Sequence, residues 1–189
     1  MIKGIQIKPK KVVIFIIVVV VLAVAIPSSV YAYNSYNYSN QYELANKYLM
    51  EDKFDEAISS FNNSLKYNKS KANEIDDKIA LVNELKQSKQ SFEEAVKNSE
   101  DKKYLEAIDN FKKVSDKDVN RYQLAQDNIN KCKSLYIDGN IASAKTQAGD
   151  KKFDAAISFL DTVLNFEPDY QEALTLKEQY NKEIERIKE

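Results

Sequence analysis

The side chains that most often carry catalysis or bind metals are scarce in this sequence. It contains no histidine and a single cysteine, Cys132, which excludes His/Cys zinc sites, histidine-activated nucleophiles and intrachain disulfides. The 29 acidic residues leave carboxylate chemistry such as glycoside hydrolysis. Their spacing, as in Glu178 one helical turn before Lys182, is typical of a solvated helix face. We therefore predict no enzymatic activity, no metal and no cofactor.

The composition also narrows the fold class and the partners. With 43% hydrophobic and 30% charged residues the chain can fold, and only three Gly and three Pro favour helices. Its formal net charge is −1, and the first 32 residues hold four lysines and no acid, so the remainder carries −5. Nucleic-acid binding needs a basic face, and we therefore expect no nucleic-acid partner.

An apolar run near the N-terminus predicts a membrane segment. Residues 12–26 are all apolar, and counting to residue 33 reaches the roughly 20 residues that a bilayer core requires. Lysines in residues 1–11 predict a cytoplasmic N-terminus, a single-pass helix over residues 12–33 and the bulk of the chain outside the membrane. Counted only to Ile26, the run fits a signal peptide instead, with cleavage after Ala32 and secretion. Residues 34–40 then read as a short polar linker beyond an interfacial belt of tyrosines.

A five-residue pattern recurs three times with the same internal spacing. Its members are Ala45, Phe54, Ala57, Ile58 and Phe61, then Ala95, Tyr104, Ala107, Ile108 and Phe111, then Ala144, Phe153, Ala156, Ile157 and Leu160. A short polar stretch precedes each aromatic, and a period of this kind indicates stacked repeats. Small alanines let two antiparallel helices approach while larger side chains fill the seam. The pattern thus predicts helical hairpins at about residues 41–70, 88–116 and 137–167.

These residues resemble the tetratricopeptide repeat, a two-helix unit with a small residue in its first helix, an aromatic at the turn, and Ala and an aromatic in its second helix. The resemblance covers about residues 38–189 and implies an all-α repeat array after the membrane helix. Three features depart from the family pattern. The turn glycine is replaced by Asp or Lys, the early aromatic of the first helix by Gln41, Ser91 and Asn140, and the period is near 50 instead of about 34.

The extra residues form segments between the hairpins, at about 71–87, 118–136 and 169–188. Ile79, Val82 and Leu85 in the first correspond to Ile129, Cys132 and Leu135 in the second, so we interpret Cys132 as a small core residue. The apolar stripe predicts that a connecting segment and the next hairpin's first helix form one helix of about 30 residues. Continuous helices would give a staircase advancing about 24 Å per unit, whereas breaks would give a compact superhelix. In the second copy residues 138–140, Asp-Gly-Asn, predict such a break.

The resemblance also implies a function. That family binds extended peptides or helices in a groove lined by first helices, and the matching positions here are Tyr42, Asn46, Leu49, Phe92, Val96, Ser99, Ile141, Lys145 and Ala148. Of these, Phe92 and Ile141 fit a core position equally well. We expect a membrane-tethered, extracytoplasmic module or scaffold that binds a protein or peptide partner. The alternative is a structural spacer or stalk of the cell envelope, which should lack a groove with exposed apolar residues.

Overall fold

A computed structural model describes residues 9–189, and this part of the chain is 84% helical and contains no strand. The all-α class is therefore confirmed. The predicted cytoplasmic lysines Lys3 and Lys8 lie outside the described residues. The helices are α1 (Pro9–Met50), α2 (Phe54–Ser64), α3 (Ala72–Glu100), α4 (Tyr104–Phe111), α5 (Tyr122–Gly149), α6 (Phe153–Phe166) and α7 (Gln171–Lys188), with a 3₁₀ turn at Lys69–Lys71 before α3.

Helix α1 is 42 residues long and contains the whole apolar run. Within the described residues it alone is long and apolar enough to cross a membrane, and its large apolar side chains from Val13 to Val30 are all at least 47% exposed. Pro27 lies inside it without breaking it. Pro removes the backbone donor that would bond the Ala23 carbonyl, and one residue later the Ser28 hydroxyl donates to the Val24 carbonyl at 2.8 Å.

The prediction of a linker at residues 34–40 is wrong, because these residues belong to α1. Their side chains support the helix locally: Asn37 Nδ2 donates to the Tyr33 carbonyl at 2.8 Å, and the Tyr38 ring lies 5.9 Å from the Tyr42 ring one turn later. The membrane candidate and the first helix of the first hairpin are therefore one continuous helix.

The chain divides into two compact units, Met1–Lys86 and Gln87–Glu189, and the boundary lies within α3. In the first unit α1 and α2 form an antiparallel hairpin against which the first half of α3 packs. Its core consists of Ala45, Phe54, Ala57, Phe61, Ile75 and Val82. The fully buried Ala45 and Ala57 allow the close helix contact that the repeat pattern predicted.

The second unit contains two cores that share α5. The first half of α5 supplies Ala125, Ile129 and Cys132 to a core with α3 and α4. The second half supplies its residues to a core with α6 and α7, namely Ile137, Ile141 and Ala144. Cys132 is fully buried, as predicted. One helix therefore serves both as connecting helix of one hairpin and as first helix of the next.

The break predicted at residues 138–140 is wrong, because α5 runs through them without interruption. Ile137 and Ile141 are both about 5% exposed, and their burial on one helix face outweighs the roughly 1 kcal/mol by which Gly139 disfavours a helix. Asn140 Nδ2 donates to the Tyr136 carbonyl at 2.8 Å, so its side chain adds to the helix. Helix α5 begins at Tyr122, four residues after the predicted 118, because residues 118–121 form a turn.

The three hairpin turns have the same backbone geometry. Asp52, Lys102 and Lys151 adopt left-handed conformations with φ of 58°, 60° and 61°. The next amide in each turn donates to the carbonyl five residues earlier, at 2.9, 2.8 and 2.9 Å. This is the Schellman arrangement that commonly ends helices, where glycine is the usual left-handed residue. The turns therefore repeat in structure as well as in sequence.

Candidate functional site

The first three candidate groove residues lie on α1, and Tyr42 among them contacts α3. The Tyr42 ring packs edge-on against Phe61 at 5.4 Å, and its side chain hydrogen-bonds Glu74 at the start of α3. Tyr42 and Leu49 both pack against the first unit's core, and Asn46 Nδ2 donates to the Tyr42 carbonyl at 3.1 Å. A hydrogen bond from Lys71, and more weakly that of Tyr42, lowers the pKa of Glu74.

The second three lie on the last turns of α3, and Ser99 among them contacts α5. The Phe92 ring packs edge-on against Phe111 at 5.5 Å, and Phe92 and Val96 both pack against the core that includes Cys132. The Ser99 hydroxyl oxygen accepts a weak hydrogen bond from the Cys132 thiol at 3.4 Å. These positions therefore form an internal contact of the second unit.

The last three lie on α5 and face α7. Ile141 is buried in the second core, which decides for it between the groove and core assignments, and Ala148 packs against the same core. Lys145 Nζ lies 2.7 Å from Glu172 Oε1 on α7, and this hydrogen bond raises the pKa of Lys145.

All three sets share one arrangement: at least one residue of each set contacts the helix that follows its own hairpin, Tyr42 through Glu74, Ser99 through Cys132 and Lys145 through Glu172. Of the nine side chains only that of Lys145 is exposed, and the apolar ones are half-buried or buried. The connecting segments therefore contact the helix faces that carry the candidate groove residues. The apolar stripe of the connecting segments was the signal for this contact.

A buried polar cluster that sequence reasoning missed lies in the loop before α5. Asp118 is 3% exposed, and its two carboxylate oxygens lie 3.1 and 3.2 Å from Arg121 Nη1. The buried Ser88 hydroxyl accepts a hydrogen bond from the Ser115 amide at 3.1 Å. A paired, hydrogen-bonded buried carboxylate of this kind ties a loop in place. The available signal was that Arg121 is one of only two arginines.

Nothing else in the described residues resembles a reactive centre. Across residues 9–189 there is no group of three or more His, Cys, Asp or Glu side chains placed to hold a metal ion. The ion pairs of the hairpins and connecting helices, such as Lys86 with Asp55 at 2.6 Å, lie at the surface, where such pairs contribute little to stability.

No protein-family model matches this chain, and no curated protein or solved structure is significantly similar to it. The class that the structure defines is an all-helical protein with one long apolar N-terminal helix.

Proposed function

We propose that this protein is a non-catalytic, membrane-tethered helical spacer of the cell envelope, built from tetratricopeptide-like hairpins and displayed outside the cytoplasm. The observation that carries the proposal is the double use of α5. Its first half closes the core of the second hairpin and its second half opens the third, so these two hairpins are joined by packed helix.

Such sharing suits a spacer because it leaves no flexible joint between two hairpins. The 28 residues of α5 extend about 42 Å at 1.5 Å per residue. The covering of the first-helix faces supports the same function, because a ligand in the groove would have to displace a connecting helix.

The anchor is supported by the length, apolarity and exposure of α1. Exposed apolar side chains over residues 13–30 need a bilayer, since water would drive them into a core. The orientation, with the repeats outside, rests on the lysines before the apolar run. In the alternative, cleavage after Ala32 releases the same repeats as a secreted protein.

A second candidate is the protein-binding module, and one observation favours it. Leu124 and Leu135 are 53% and 38% exposed and lie about three turns apart on α5, hence on one face of that helix. Exposed apolar residues at this spacing could anchor a protein partner outside the groove. Replacing both by Asn should leave the fold intact, and loss of a captured partner would then support the module over the spacer.

The spacer is tested by removing one period. Deleting residues 104–152 joins Lys103 to Phe153 and keeps the turn in register, because Phe153 occupies the same turn position as Tyr104. The readout is energy transfer from labelled lipids to a dye on Glu189→Cys in reconstituted protein. Cys132→Val in the parent chain makes that thiol unique, and the deletion itself removes Cys132. A spacer predicts a folded, helical product with stronger transfer, whereas unchanged transfer would contradict it.

Topology and anchoring are tested separately on cells. Protease added to intact cells or protoplasts should digest the repeats, and full protection while a known external protein is cut would refute the orientation. Intact mass of the native protein distinguishes a retained anchor from cleavage, since cleavage removes residues 1–32.

A further inference from the structure

We propose that the loop between α2 and α3, residues 65–71, docks on the surface of an anionic lipid bilayer beside the anchor. This inference rests on the proposed insertion of α1 into a membrane. It adds a second, peripheral membrane contact made by the first unit.

The position of this loop relative to the bilayer surface follows from a contact between two tyrosines. Helix α2 runs back antiparallel to α1, and the Tyr67 ring at its end lies edge-on to the Tyr33 ring, with 6.2 Å between centroids. Tyr33 ends the roughly 20-residue stretch that fills a bilayer core, which places it at the level of the lipid headgroups. Because α1 is unbroken, Tyr67 is held at the same level.

The loop carries the charge that an anionic surface attracts. Lys66, Lys69 and Lys71 lie within six residues, and no acidic residue occurs between Glu56 and Glu74. Lys71 pairs with Glu74 at 2.8 Å, whereas Lys66 and Lys69 are exposed and form no ion pair with any residue from 9 to 189. Residues 27–42 of α1 have no charged side chain, so nothing on the adjacent helix offsets the lysines. Lysines held at the level of the lipid headgroups are attracted electrostatically to anionic lipids.

The loop is also held in a fixed shape. Asn68 Oδ1 accepts hydrogen bonds from the Ser70 amide at 3.2 Å and the Ser70 hydroxyl at 2.7 Å, which caps the 3₁₀ turn. The neighbouring Tyr31 and Tyr36 of α1 are 76% and 72% exposed, as expected for rings that lie among headgroups. Exposed lysines on an ordered loop, beside amphipathic tyrosine rings, match the chemistry of a lipid headgroup layer.

The experiment uses the absence of tryptophan from the chain. Three single-tryptophan variants of the full-length protein, Tyr33→Trp, Tyr67→Trp and Tyr48→Trp, are reconstituted in vesicles with and without 30 mol% phosphatidylglycerol. Fluorescence quenching by headgroup-labelled lipid is then measured. Tyr48 is the matched control, since it lies on the same helix about 22 Å beyond Tyr33.

We expect strong quenching at position 33, at least twofold stronger quenching at 67 than at 48, and a further increase at 67 with phosphatidylglycerol. Lys66→Gln with Lys69→Gln should abolish that increase, while Lys47→Gln, on the far end of α1, should not. Circular dichroism shows that each variant is folded.

Each alternative outcome points to one failure. Quenching at 33 but not at 67 would overturn the docking loop and leave the anchor standing. Equal quenching at 67 with and without anionic lipid would overturn the electrostatic contact. Absence of quenching at 33 would refute insertion of α1, and with it both proposals.

Discussion

The turn of each hairpin places a residue with a side chain where glycine is preferred. Lys102 has φ of 60°. In this left-handed region the Cβ atom lies too close to the backbone, which costs about 1–2 kcal/mol of conformational free energy. Its neighbour Lys103 has a negative φ of −85° and lies outside the left-handed region. Glycine, which adopts this conformation most readily, is thus absent from the turns, although the left-handed backbone conformation is present in all three.

Lys102→Gly should therefore stabilise the protein, by about 1 kcal/mol after allowing for the greater freedom of glycine in the unfolded chain. Lys103→Gly is the matched control and should destabilise, because there glycine relieves no strain. Urea unfolding followed by circular dichroism measures both. A lower midpoint for Lys102→Gly would mean that the turn is not left-handed.

Ala107 is a second residue whose size matters. It is fully buried in the first core of the second unit, while the adjacent Glu106 is exposed. Ala107→Leu should cost about 1–3 kcal/mol by forcing the helices apart, and Glu106→Leu should change stability little. Equal shifts in melting temperature for the two variants would show that the assigned helix face is wrong.

At the scale of elements, the connecting segments determine the architecture. Their continuity with the next first helix was predicted from the apolar stripe, and both α3 and α5 extend from connecting segment into hairpin. A break was wrongly predicted at residues 138–140 because Asp, Gly and Asn have a local preference for turns. The burial of Ile137 and Ile141, which favours the helix, depends on tertiary packing. A linker was wrongly predicted at residues 34–40 for a similar reason, since the polarity of this stretch does not show that Tyr38 packs against Tyr42 within a helix.

Gly139→Ala tests the continuity of α5. A Cβ at this position would meet no atom within 4 Å, and the residue lies inside a regular helix. Alanine should therefore raise stability by about 0.5–1 kcal/mol, whereas Gly139→Pro should lower it strongly. If residues 138–140 formed a turn instead, alanine would destabilise and proline would be tolerated.

The candidate site shows what a single sequence can predict. The positions of the nine residues on first helices followed from the repeat register, and the structure has them on those helices. The repeat register alone did not show what packs against them; the apolar stripe of the connecting segments indicated a buried face, but the neighbour of that face depends on tertiary packing. Tyr42, Phe92 and Ile141 each pack in or against the hydrophobic core of their own hairpin and its connecting helix.

At the scale of the molecule, the lone thiol reports on opening of the second unit. Cys132 is fully buried between α3 and α5. A thiol reagent should modify it at least about a hundredfold more slowly in native protein than in urea, which corresponds to an opening free energy of about 3 kcal/mol. An exposed control, Ser134→Cys in a Cys132→Val background, should react at the same fast rate in both. Rapid native labelling of Cys132 would contradict the packed core.

In the membrane-anchored form that we propose, the unbroken α1 fixes the rotational orientation of the first hairpin relative to the bilayer. Each residue of an α-helix turns the chain by about 100°, so one residue inserted between Ser28 and Ser29 would swing the face bearing Tyr67 away from its original azimuth. Seven inserted residues, close to two full turns, would restore the azimuth and raise the hairpin by about 10 Å. Any protein embedded in the same membrane would therefore contact one defined face of this hairpin.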